Sequence, residues 1–245
     1  MSHRVETIGD CTLHLGDCLE ILPSLDMVRT VITDPPYSSG GFQEAGKAMG
    51  SIGDRGGSRI AFDNLSTRGY GRLMRRLLMG LPSVDEVYLF TDWRMWIESF
   101  DAIEDGGFRV RAMIVWDKKS AGLGAAWRSQ HELVAYGKKT NVAPGSPSAG
   151  TVLTVSRSGN EHHPTEKPVE LIERLLDVSR SDVVFDPFMG SATTGVACVA
   201  QGRPFIGCEL DPAHFETACR RIEAAYAAPR LFAEPAPQPT QESLI

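Results

Sequence analysis

The sequence is short of cysteine, of long apolar runs and of positive charge, and each shortage excludes a class of protein. Its five cysteines are an odd number without a C-x-x-C pair, which argues against a disulfide scaffold and against a zinc site. No stretch approaches the roughly 18 apolar residues of a membrane span, and the N-terminal MSHRVETIGD lacks the apolar segment of a signal peptide. We therefore expect a cytoplasmic protein that uses no metal ion.

The net charge of −6 excludes a protein that binds nucleic acid through bulk charge, but it leaves room for a local basic patch. Residues 41–80 hold seven basic side chains against three acidic ones, and residues 117–139 hold five against two. Either these charges are scattered over a solvated surface, or they flank the functional site and contact phosphate groups. The second interpretation predicts phosphate contacts by Arg55, Arg59, Arg68, Lys118, Lys119, Arg128, Lys138 and Lys139.

Apolar runs of strand length alternate with helical patterns, which predicts an α/β protein with a mostly parallel sheet. Several runs consist mainly of Val, Ile and Phe, as expected of strands that are buried on both faces. The predicted strands are Thr12–Leu15, Val28–Thr33, Val84–Phe90, Arg109–Trp116, His131–Tyr136, Val183–Asp186 and Pro204–Glu209, with a short β-prone piece at Thr151–Val155. The predicted helices are Cys18–Leu22, Gly69–Leu78, Trp93–Ile103, Val169–Ser179, Thr193–Gln201 and Pro212–Ala227.

Three segments do not fit this alternation. Residues 38–68 are rich in Gly, Ser and Arg and are predicted to form a long mobile basic loop, and residues 138–164 hold Pro, Gly and Ser around the β-prone piece. Loops of such length inside a compact domain are usually functional or disordered. The proline-rich residues 229–245 are predicted to be a disordered tail after a single domain that spans residues 1–228.

The sharpest chemical signal is Asp34-Pro35-Pro36-Tyr37, which follows a predicted buried strand. Ligands of open α/β sheets bind at the carboxyl ends of the strands, so this segment lies where a site is expected. Prolines have no N–H group, so the turn offers carbonyl and carboxylate acceptors and few donors. Such a turn suits an NH₂ group on a planar ring, as in adenine or cytosine, and the alternative is a Pro-Pro turn that only ends a strand.

The segment Val183–Gly195 is predicted to run from a strand through a Gly-rich turn into a helix. Such a turn lets a ligand approach the backbone closely, as in dinucleotide-binding folds, although Ala192 replaces the middle glycine of G-x-G-x-x-G. Glu209 ends the next strand, 23 residues after Asp186, and an acid there commonly binds ribose hydroxyl groups. No lysine follows the turn, so a triphosphate ligand is not expected. The alternative is a plain strand–helix turn.

Two weaker elements complete the set. Asp17 follows a predicted strand, where its carboxylate could accept a hydrogen bond from an adenine amino group or could cap the helix that begins at Cys18. The segment Thr165–Pro168 precedes an amphipathic helix, and Thr165 could simply cap that helix with Pro168 in its first turn.

Asp34-Pro35-Pro36-Tyr37 resembles the catalytic D-P-P-Y motif of DNA amino-methyltransferases, which transfer a methyl group from S-adenosylmethionine to adenine N6 or cytosine N4. The order of the motifs along the chain is similar to that of the circularly permuted β group of this family, and the resemblance extends over residues 11–225. It implies an S-adenosylmethionine-dependent methyltransferase fold, a Rossmann-like three-layer α/β architecture. Its sheet would have seven strands, parallel apart from one that is reversed.

The resemblance also implies roles for individual residues. It assigns catalysis to Asp34, Pro35, Pro36 and Tyr37, with Tyr37 stacking on a base that is flipped out of double-stranded DNA. It assigns the binding of S-adenosylmethionine, and of the product S-adenosylhomocysteine, to Asp17, Cys18, Thr165, Lys167, Pro168, Asp186, Pro187, Phe188, Gly190, Ser191, Ala192, Thr193, Glu209 and Leu210. Target recognition would fall to residues 138–162, helped by the basic loop at residues 38–68.

Aspartate at the start of the motif favours adenine N6 as the target, with cytosine N4 as the alternative. A methyltransferase of RNA or protein is a competing hypothesis, but the related motif of such enzymes begins with Asn where this sequence has Asp34, and the permuted order favours DNA. A catalytically silent module that binds S-adenosylmethionine and DNA is another, and the intact Asp34 and Tyr37 argue against it. A nicotinamide dehydrogenase would share the Gly-rich turn and Glu209 but would leave Asp34-Pro35-Pro36-Tyr37 unexplained. The sequence leaves open whether the protein is a homodimer.

The last five residues, Gln241–Ile245, resemble the peptide through which proteins dock on bacterial sliding clamps. A flexible tether would present Leu244 and Ile245 to an apolar groove. Ile245 replaces the usual aromatic residue, and the alternative is a solvated terminus with an incidental apolar pair. The resemblance therefore implies a sliding clamp as a partner, which would bind the tail and no other part of the chain.

Overall fold

The computed structural model describes residues 4–25, 28–36, 66–81, 83–122, 126–139, 148–159, 166–179 and 183–228. Within these ranges, nine strands form one sheet with helices on both of its faces. The strands are β1 (Arg4–Ile8), β2 (Cys11–Leu15), β3 (Thr30–Thr33), β4 (Glu86–Thr91), β5 (Arg109–Asp117), β6 (His131–Lys138), β7 (Val152–Thr154), β8 (Val184–Asp186) and β9 (Phe205–Glu209). The helices are α1 (Cys18–Ile21), α2 (Thr67–Met79), α3 (Trp96–Asp105), α4 (Val169–Val178), α5 (Thr193–Ala200) and α6 (Pro212–Ala227), with a 3₁₀ turn over Leu22–Ser24.

The strands lie in the order β1-β2-β9-β8-β3-β4-β6-β5-β7. Strands β1 and β6 run opposite to the other described strands. The α/β class and the mostly parallel sheet are confirmed, whereas the expected count of seven strands with one reversed is corrected. The run from β2 to β5 fits that expectation, with β6 as its reversed strand, and β1 and β7 extend the sheet at its two edges.

Strand β1 is the element that sequence patterns missed. Its residues, RVETI, are mostly exposed, and the strand pairs with β2 alone, antiparallel from Arg4 opposite Leu15 to Ile8 opposite Cys11. An edge strand of this kind buries little apolar surface, so it has no hydrophobic period that a sequence search could detect.

Two apolar clusters, one on each face, bury the sheet and define three layers. Helices α4, α5 and α6 contribute Leu171, Leu175, Cys198, Phe215 and Ile222 to the cluster on one face. Helices α1, α2 and α3 contribute Ile21, Tyr70, Met74, Leu77 and Ile103 to the cluster on the other. The strands between these layers are apolar on both faces, and β3 and β4 are buried along their whole length. The three-layer architecture is therefore confirmed.

Neighbouring strands β8 and β3 mark the point where the chain changes direction across the sheet. From β8 the chain continues through α5 to β9 on one side, and from β3 it continues through α2 to β4 on the other. Such a switch point opens a crevice at the carboxyl ends of the two strands, which is where ligands of open α/β sheets bind.

Asp186, the last residue of β8, ties the two sides of this crevice together. Its Oδ1 accepts hydrogen bonds from Thr33 Oγ1 at the end of β3 (2.9 Å) and from the Phe188 backbone N–H (3.1 Å), while its Oδ2 accepts one from Thr194 Oγ1 in α5 (2.8 Å). Burial raises the pKa of Asp186 to about 7, and these hydrogen bonds only partly oppose the shift.

The helices and most strands lie within three residues of their predicted bounds, and α6 has the predicted bounds. Within the described residues no helix is long and apolar enough to cross a membrane. The predicted basic loop lies outside the described residues except for its last three positions, and the predicted tail lies wholly outside them.

We predict that Asp186→Asn weakens the pH dependence of stability. The folded protein holds the Asp186 proton more tightly than the unfolded chain, so this group contributes its stability fully below about pH 4 and loses it as the pH rises through about 7. Asparagine stays neutral, so the free energy of unfolding should fall less between pH 5 and pH 8 in the variant than in the wild type. Urea unfolding followed by tryptophan fluorescence measures this difference, and equal pH dependence in both proteins would contradict it.

Candidate active site at the carboxyl edge of the sheet

Strand order places most of the predicted site residues along one edge. Asp17 follows β2, Glu209 ends β9, the Gly-rich turn follows β8 and Asp34 follows β3. Because β2, β9, β8 and β3 are parallel neighbours in this order, residues that lie far apart in the chain meet at their carboxyl ends.

The turn between β8 and α5 is held in a conformation that suits glycine. Gly190 has φ +51°, and an added Cβ would meet nothing within 4 Å, so the backbone there faces open space. Ala192 occupies the N-cap position of α5 with φ 60° and ψ 42°, a left-handed conformation that costs an L-residue about 1–2 kcal/mol. Ala192 therefore adopts the left-handed backbone conformation that a glycine adopts readily, although it replaces the middle glycine of the G-x-G-x-x-G pattern.

Glu209 fixes the shape of this turn from the next strand. Its Oε2 accepts a hydrogen bond from the Gly190 N–H (2.9 Å), and its Oε1 accepts from the N–H groups of Leu210 and Asp211 (2.8 Å each). Burial raises the pKa of Glu209, although these three N–H donors favour the carboxylate. The carboxyl group thus lies beside the open backbone at Gly190, where a ligand with hydroxyl groups could reach it.

At the other end of the predicted cofactor site, Asp17 has the capping role that the sequence left open. Its Oδ1 accepts a hydrogen bond from the Leu19 N–H (2.9 Å) at the start of α1. Cys18 is buried, and burial raises the pKa of its thiol to about 12, so the side chain is a neutral part of the core. Only the backbone of Cys18 could therefore meet a ligand.

The remaining predicted cofactor residues belong to the walls of the same edge. Both carboxylate oxygens of Asp186 accept hydrogen bonds from Thr33, Phe188 or Thr194, so the role of Asp186 is to position the turn. Ser191 and Thr193 are buried and both accept hydrogen bonds from an arginine of α6. Phe188 and Leu210 are partly exposed at the edge, and Pro187 and Pro168 are buried.

Asp34 lies in a chain of four alternating charges, which we call the ion cluster: Lys118, Glu132, Lys167 and Asp34. Lys167 Nζ contacts Asp34 Oδ2 and lies 3.3 Å from Glu132 Oε2, while Lys118 Nζ contacts Glu132 Oε1. The side chain of Lys167 is only 8% exposed and that of Asp34 is 25% exposed. Among the residues that the structure describes, Asp34 Oδ1 is buried and has no hydrogen-bond partner.

Burial and charge set the protonation of the cluster. Burial raises the pKa of Asp34, opposed by the Lys167 ammonium group. Burial works against charge on Glu132 and Lys167 as well, but their neighbours outweigh it: the pKa of Glu132 is lowered by the two lysines, and that of Lys167 is raised by the two carboxylates. Asp34 is therefore the member of the cluster whose charged form burial disfavours.

This arrangement gives two of the predicted site residues partners that the sequence did not indicate. Lys167 was expected beside the cofactor, and the structure places its ammonium group on Asp34. Lys118 was expected on a DNA phosphate, and its ammonium group is instead bound to Glu132 with a side chain that is 13% exposed. The sequence did not indicate either ion pair, because sequence alone does not show which carboxylates lie beside a given lysine.

The predicted phosphate contacts separate into two edges of the sheet. Lys138 lies opposite Glu86, the first residue of β4, in the antiparallel register of β6 and β4. Lys138 and the following Lys139 therefore lie at the amino edge of the sheet, away from the site. Their assignment as DNA contacts is corrected, since the reversed direction of β6 carries them away from Asp34. Lys119 and Arg128 are exposed on the loop between β5 and β6, and Arg68 is exposed in the first turn of α2.

Four predicted site residues lie outside the described residues: Tyr37, Arg55, Arg59 and Thr165. Their roles therefore remain predictions from the sequence. Within the described ranges, no three His, Cys, Asp or Glu side chains are grouped to hold a metal ion.

Sequence reasoning missed Glu132 and Arg221. Arg221 Nη1 donates to the carbonyl oxygen and to Oγ of Ser191 (2.7 Å each), and its Nη2 lies 2.6 Å from Glu166 Oε1. It therefore joins the Gly-rich turn to the segment before α4, which carries Lys167. Both residues looked like ordinary surface charges in an amphipathic strand and helix, and no local signal distinguishes them.

A third missed residue is Trp127, whose side chain is fully exposed. It lies in the loop between β5 and β6, whose two arms are joined by hydrogen bonds from Lys118 N to Gln130 O (3.0 Å) and from Gly122 N to Ser129 O (2.8 Å). This loop, which carries Lys118 at its base, presents an aromatic ring to solvent.

A family model described as "DNA methylase", N6_N4_Mtase, matches residues 144–220, which include Lys167, the Gly-rich turn and Glu209. YubD of Escherichia coli strain K12, which is named as a presumptive methylase, is 29% identical over 217 residues, covering 87% of this chain and 90% of YubD. Over these residues the chain is therefore similar to DNA methylases, and the similarity to YubD extends over most of its length.

A further relative and two solved structures are also similar to this chain. The DNA adenine methyltransferase YhdJ of the same strain is 43% identical over 75 residues, which are 29% of this chain and 26% of YhdJ. The M1.HpyAVI–SAM complex shares the fold with a TM-score of 0.64 at 24% identity, over 86% of this chain and 98% of that chain. The cytosine-N4-specific PvuII DNA methyltransferase shares it with a TM-score of 0.67 at 18% identity, over 90% and 93% of the two chains.

We predict that Arg221→Met destabilises the fold by about 3 kcal/mol, because it removes the guanidinium partner of the buried Glu166 carboxylate. The neighbouring Arg220 is exposed on the same helix, so Arg220→Met should change the free energy of unfolding by less than about 0.5 kcal/mol. Urea unfolding of the two variants provides the comparison. Equal losses would mean that Arg221 does not join the turn to α4.

Proposed function

We propose that the protein transfers a methyl group from S-adenosylmethionine to the exocyclic amine of a base in double-stranded DNA, with adenine N6 as the target and cytosine N4 as the alternative. The observation that carries the proposal is the second carboxylate oxygen of Asp34. Oδ2 is held by Lys167, whereas Oδ1 is buried and without a partner among the described residues. A buried acceptor in this state is costly unless a ligand supplies a donor.

The turn that follows Asp34 favours an amine as that donor. Pro35 and Pro36 have no N–H group, so the backbone here offers acceptors only. An exocyclic amine has its lone pair delocalised into the ring. Acceptors on its N–H bonds make the nitrogen more tetrahedral and more nucleophilic, and the carboxylate then offsets positive charge as the N–C bond forms.

The cofactor side of the crevice fits S-adenosylmethionine, which supplies an electrophilic methyl group on sulfur when bound. Glu209 would hold the ribose hydroxyl groups, and the open backbone at Gly190 leaves room beside it. Asp17 lies at the end of β2, next to β9, where its carboxylate could accept from an amino group of the adenine ring. No phosphate-binding lysine follows the turn in the sequence, in keeping with a ligand that carries no phosphate.

The target base must leave the DNA stack to reach Asp34, and Tyr37 would stack on the flipped ring. Lys119 and Arg128 on the loop between β5 and β6, together with Arg68 at the start of α2, would contact the phosphates around it. Trp127 on the same loop offers a further stacking surface for DNA bases.

Adenine is favoured by the aspartate that opens the motif and by the name of YhdJ, which is a DNA adenine methyltransferase. PvuII, whose fold is similar, is specific for cytosine N4 and supports the alternative. The position of Asp34 before the Gly-rich turn in the chain supports the circularly permuted β group.

We predict that Asp34→Ala lowers the rate of methyl transfer by more than tenfold. The affinity for S-adenosylmethionine should stay within a few-fold of that of the wild type. The variant removes the acceptor of the target amine and leaves Glu209 and the Gly-rich turn in place. Nucleoside mass spectrometry of DNA incubated with the protein separates N6-methyladenine from N4-methylcytosine, and parallel reactions with RNA and protein test other substrates.

Asp85→Ala at the amino edge is the matched control. Asp34→Ala turnover within tenfold of wild type would contradict the role of Asp34, and cofactor binding by the wild type without methylation would indicate a silent reader.

We predict that Lys119→Ala and Arg128→Ala each weaken DNA binding and flatten the dependence of log K on log salt by about one unit per lost phosphate contact. Arg109 and Lys139 lie at the opposite edge of the sheet, so replacing them with alanine should leave the slope unchanged. Fluorescence anisotropy with a duplex oligonucleotide at several salt concentrations measures both pairs. The same slope change in both pairs would show that general charge, and not this face, governs binding.

A further inference from the structure

Glu132 occupies the centre of the ion cluster. It is the second residue of β6, the reversed strand, so the start of β6 reaches the same edge at which β3 and β5 end. Its two carboxylate oxygens face different cations, Lys118 on Oε1 and Lys167 on Oε2. The four charges therefore alternate along one line that ends at Asp34.

The surroundings of the cluster strengthen the coupling between its members. Lys167 Nζ lies 5.3 Å from the ring centroid of Phe90, and Lys118 Nζ lies 5.0 Å from that of Trp116. Both rings belong to the buried core and exclude water from one side of each ammonium group. In such surroundings the interaction energy between neighbouring charges is larger than in water, so a change in one charge shifts the titration of its neighbours more.

We propose that Glu132 and Lys118 are positioning residues that act on the target amine through Lys167 and Asp34. Glu132 holds the Lys167 ammonium group against Asp34 Oδ2, which leaves Oδ1 as the acceptor for the amine, and Lys118 balances the charge of Glu132. This inference rests on the proposed function, since it assumes that Asp34 Oδ1 receives the amine.

The charge balance matters because the amine changes charge in the reaction. As the bond from sulfur to the methyl carbon breaks and the N–C bond forms, the nitrogen becomes cationic, and it then loses one N–H proton to Asp34 or through it to water. Asp34 must be ionised before this step and basic enough to favour it. An added positive charge nearby makes Asp34 a weaker acceptor, and an added negative charge keeps it protonated to higher pH.

Other titratable groups also face Asp34 from the surrounding elements. Asp186 at the end of β8 and Tyr70 in α2 both interact with it electrostatically. Burial raises the pKa of Tyr70 to about 12, so this group stays neutral in the working range. Asp92 lies beyond Tyr70 after β4, and all three groups are common to every variant compared below.

The test compares Glu132→Gln, Lys118→Met and the double variant with wild type. Glu132→Gln leaves two lysines on one carboxylate, so the Asp34 titration should move to lower pH and the plateau rate of methyl transfer should fall. Lys118→Met leaves two carboxylates on one lysine, so the titration should move to higher pH. Each shift should be about one pH unit. The double variant restores the balance and should return to within about 0.3 unit of wild type.

Two readouts are measured on the full chain. Carbon NMR of labelled aspartate follows the titration of Asp34 in the protein without cofactor or DNA, with Asp34→Asn used to assign the signal. The pH profile of the single-turnover methylation rate gives the same quantity during catalysis. If the titrations shift as expected but the wild type methylates no DNA, the proposed function fails and the electrostatic coupling stands.

Opposite shifts that cancel in the double variant would support the proposal. Unmoved titrations, shifts in the same direction or a double variant that adds the two defects would overturn it and leave Glu132 a structural residue. Thermal unfolding checks each variant first, and Lys118→Gln, which makes the same charge change with a polar side chain, replaces Lys118→Met if the latter does not fold. Glu132→Asp should recover more of the wild-type profile than Glu132→Gln, because it keeps the charge.

Discussion

The ion pair between Lys167 and Asp34 constrains the whole carboxyl edge of the sheet. Removing two such charges from water costs several kcal/mol per ion, so the pair needs further partners that share the charge. Glu132 and Lys118 are these partners, and they alternate in sign with the pair. Four chain segments must therefore converge: the turn after β3, the end of β5, the start of β6 and the segment before α4.

The reversed direction of β6 makes this convergence possible. In a sheet with β6 parallel to its neighbours, Glu132 would lie at the amino edge and Lys138 would lie beside Asp34. With β6 reversed, the acidic start of the strand reaches the site, and its basic end is carried to the opposite edge. The reversed strand thus decides which charges face the proposed target amine.

The polar groups of the edge divide into those that hold the structure and those that are left for ligands. Asp186 and Arg221 use their hydrogen-bonding capacity on neighbouring chain segments, and they fix the Gly-rich turn against β3, α5 and the segment before α4. Asp34 Oδ1 is left without a partner among the described residues. This division follows from the chemistry, because a reacting group needs a free lone pair, whereas a preorganised site needs neighbours that do not move.

The sequence by itself determined the α/β class, the helices and strands of the central sheet, and the positions of Asp34 and the Gly-rich turn. These features depend on local patterns: apolar period, proline, glycine and the residue that follows a strand. The strand order, the reversed strand, the edge strand β1, and the partners of Lys118 and Lys167 depended on the tertiary structure. A charged side chain carries no local mark of its partner, because ion pairs such as Lys167 with Asp34 join residues that are 133 positions apart and meet only when the sheet has formed.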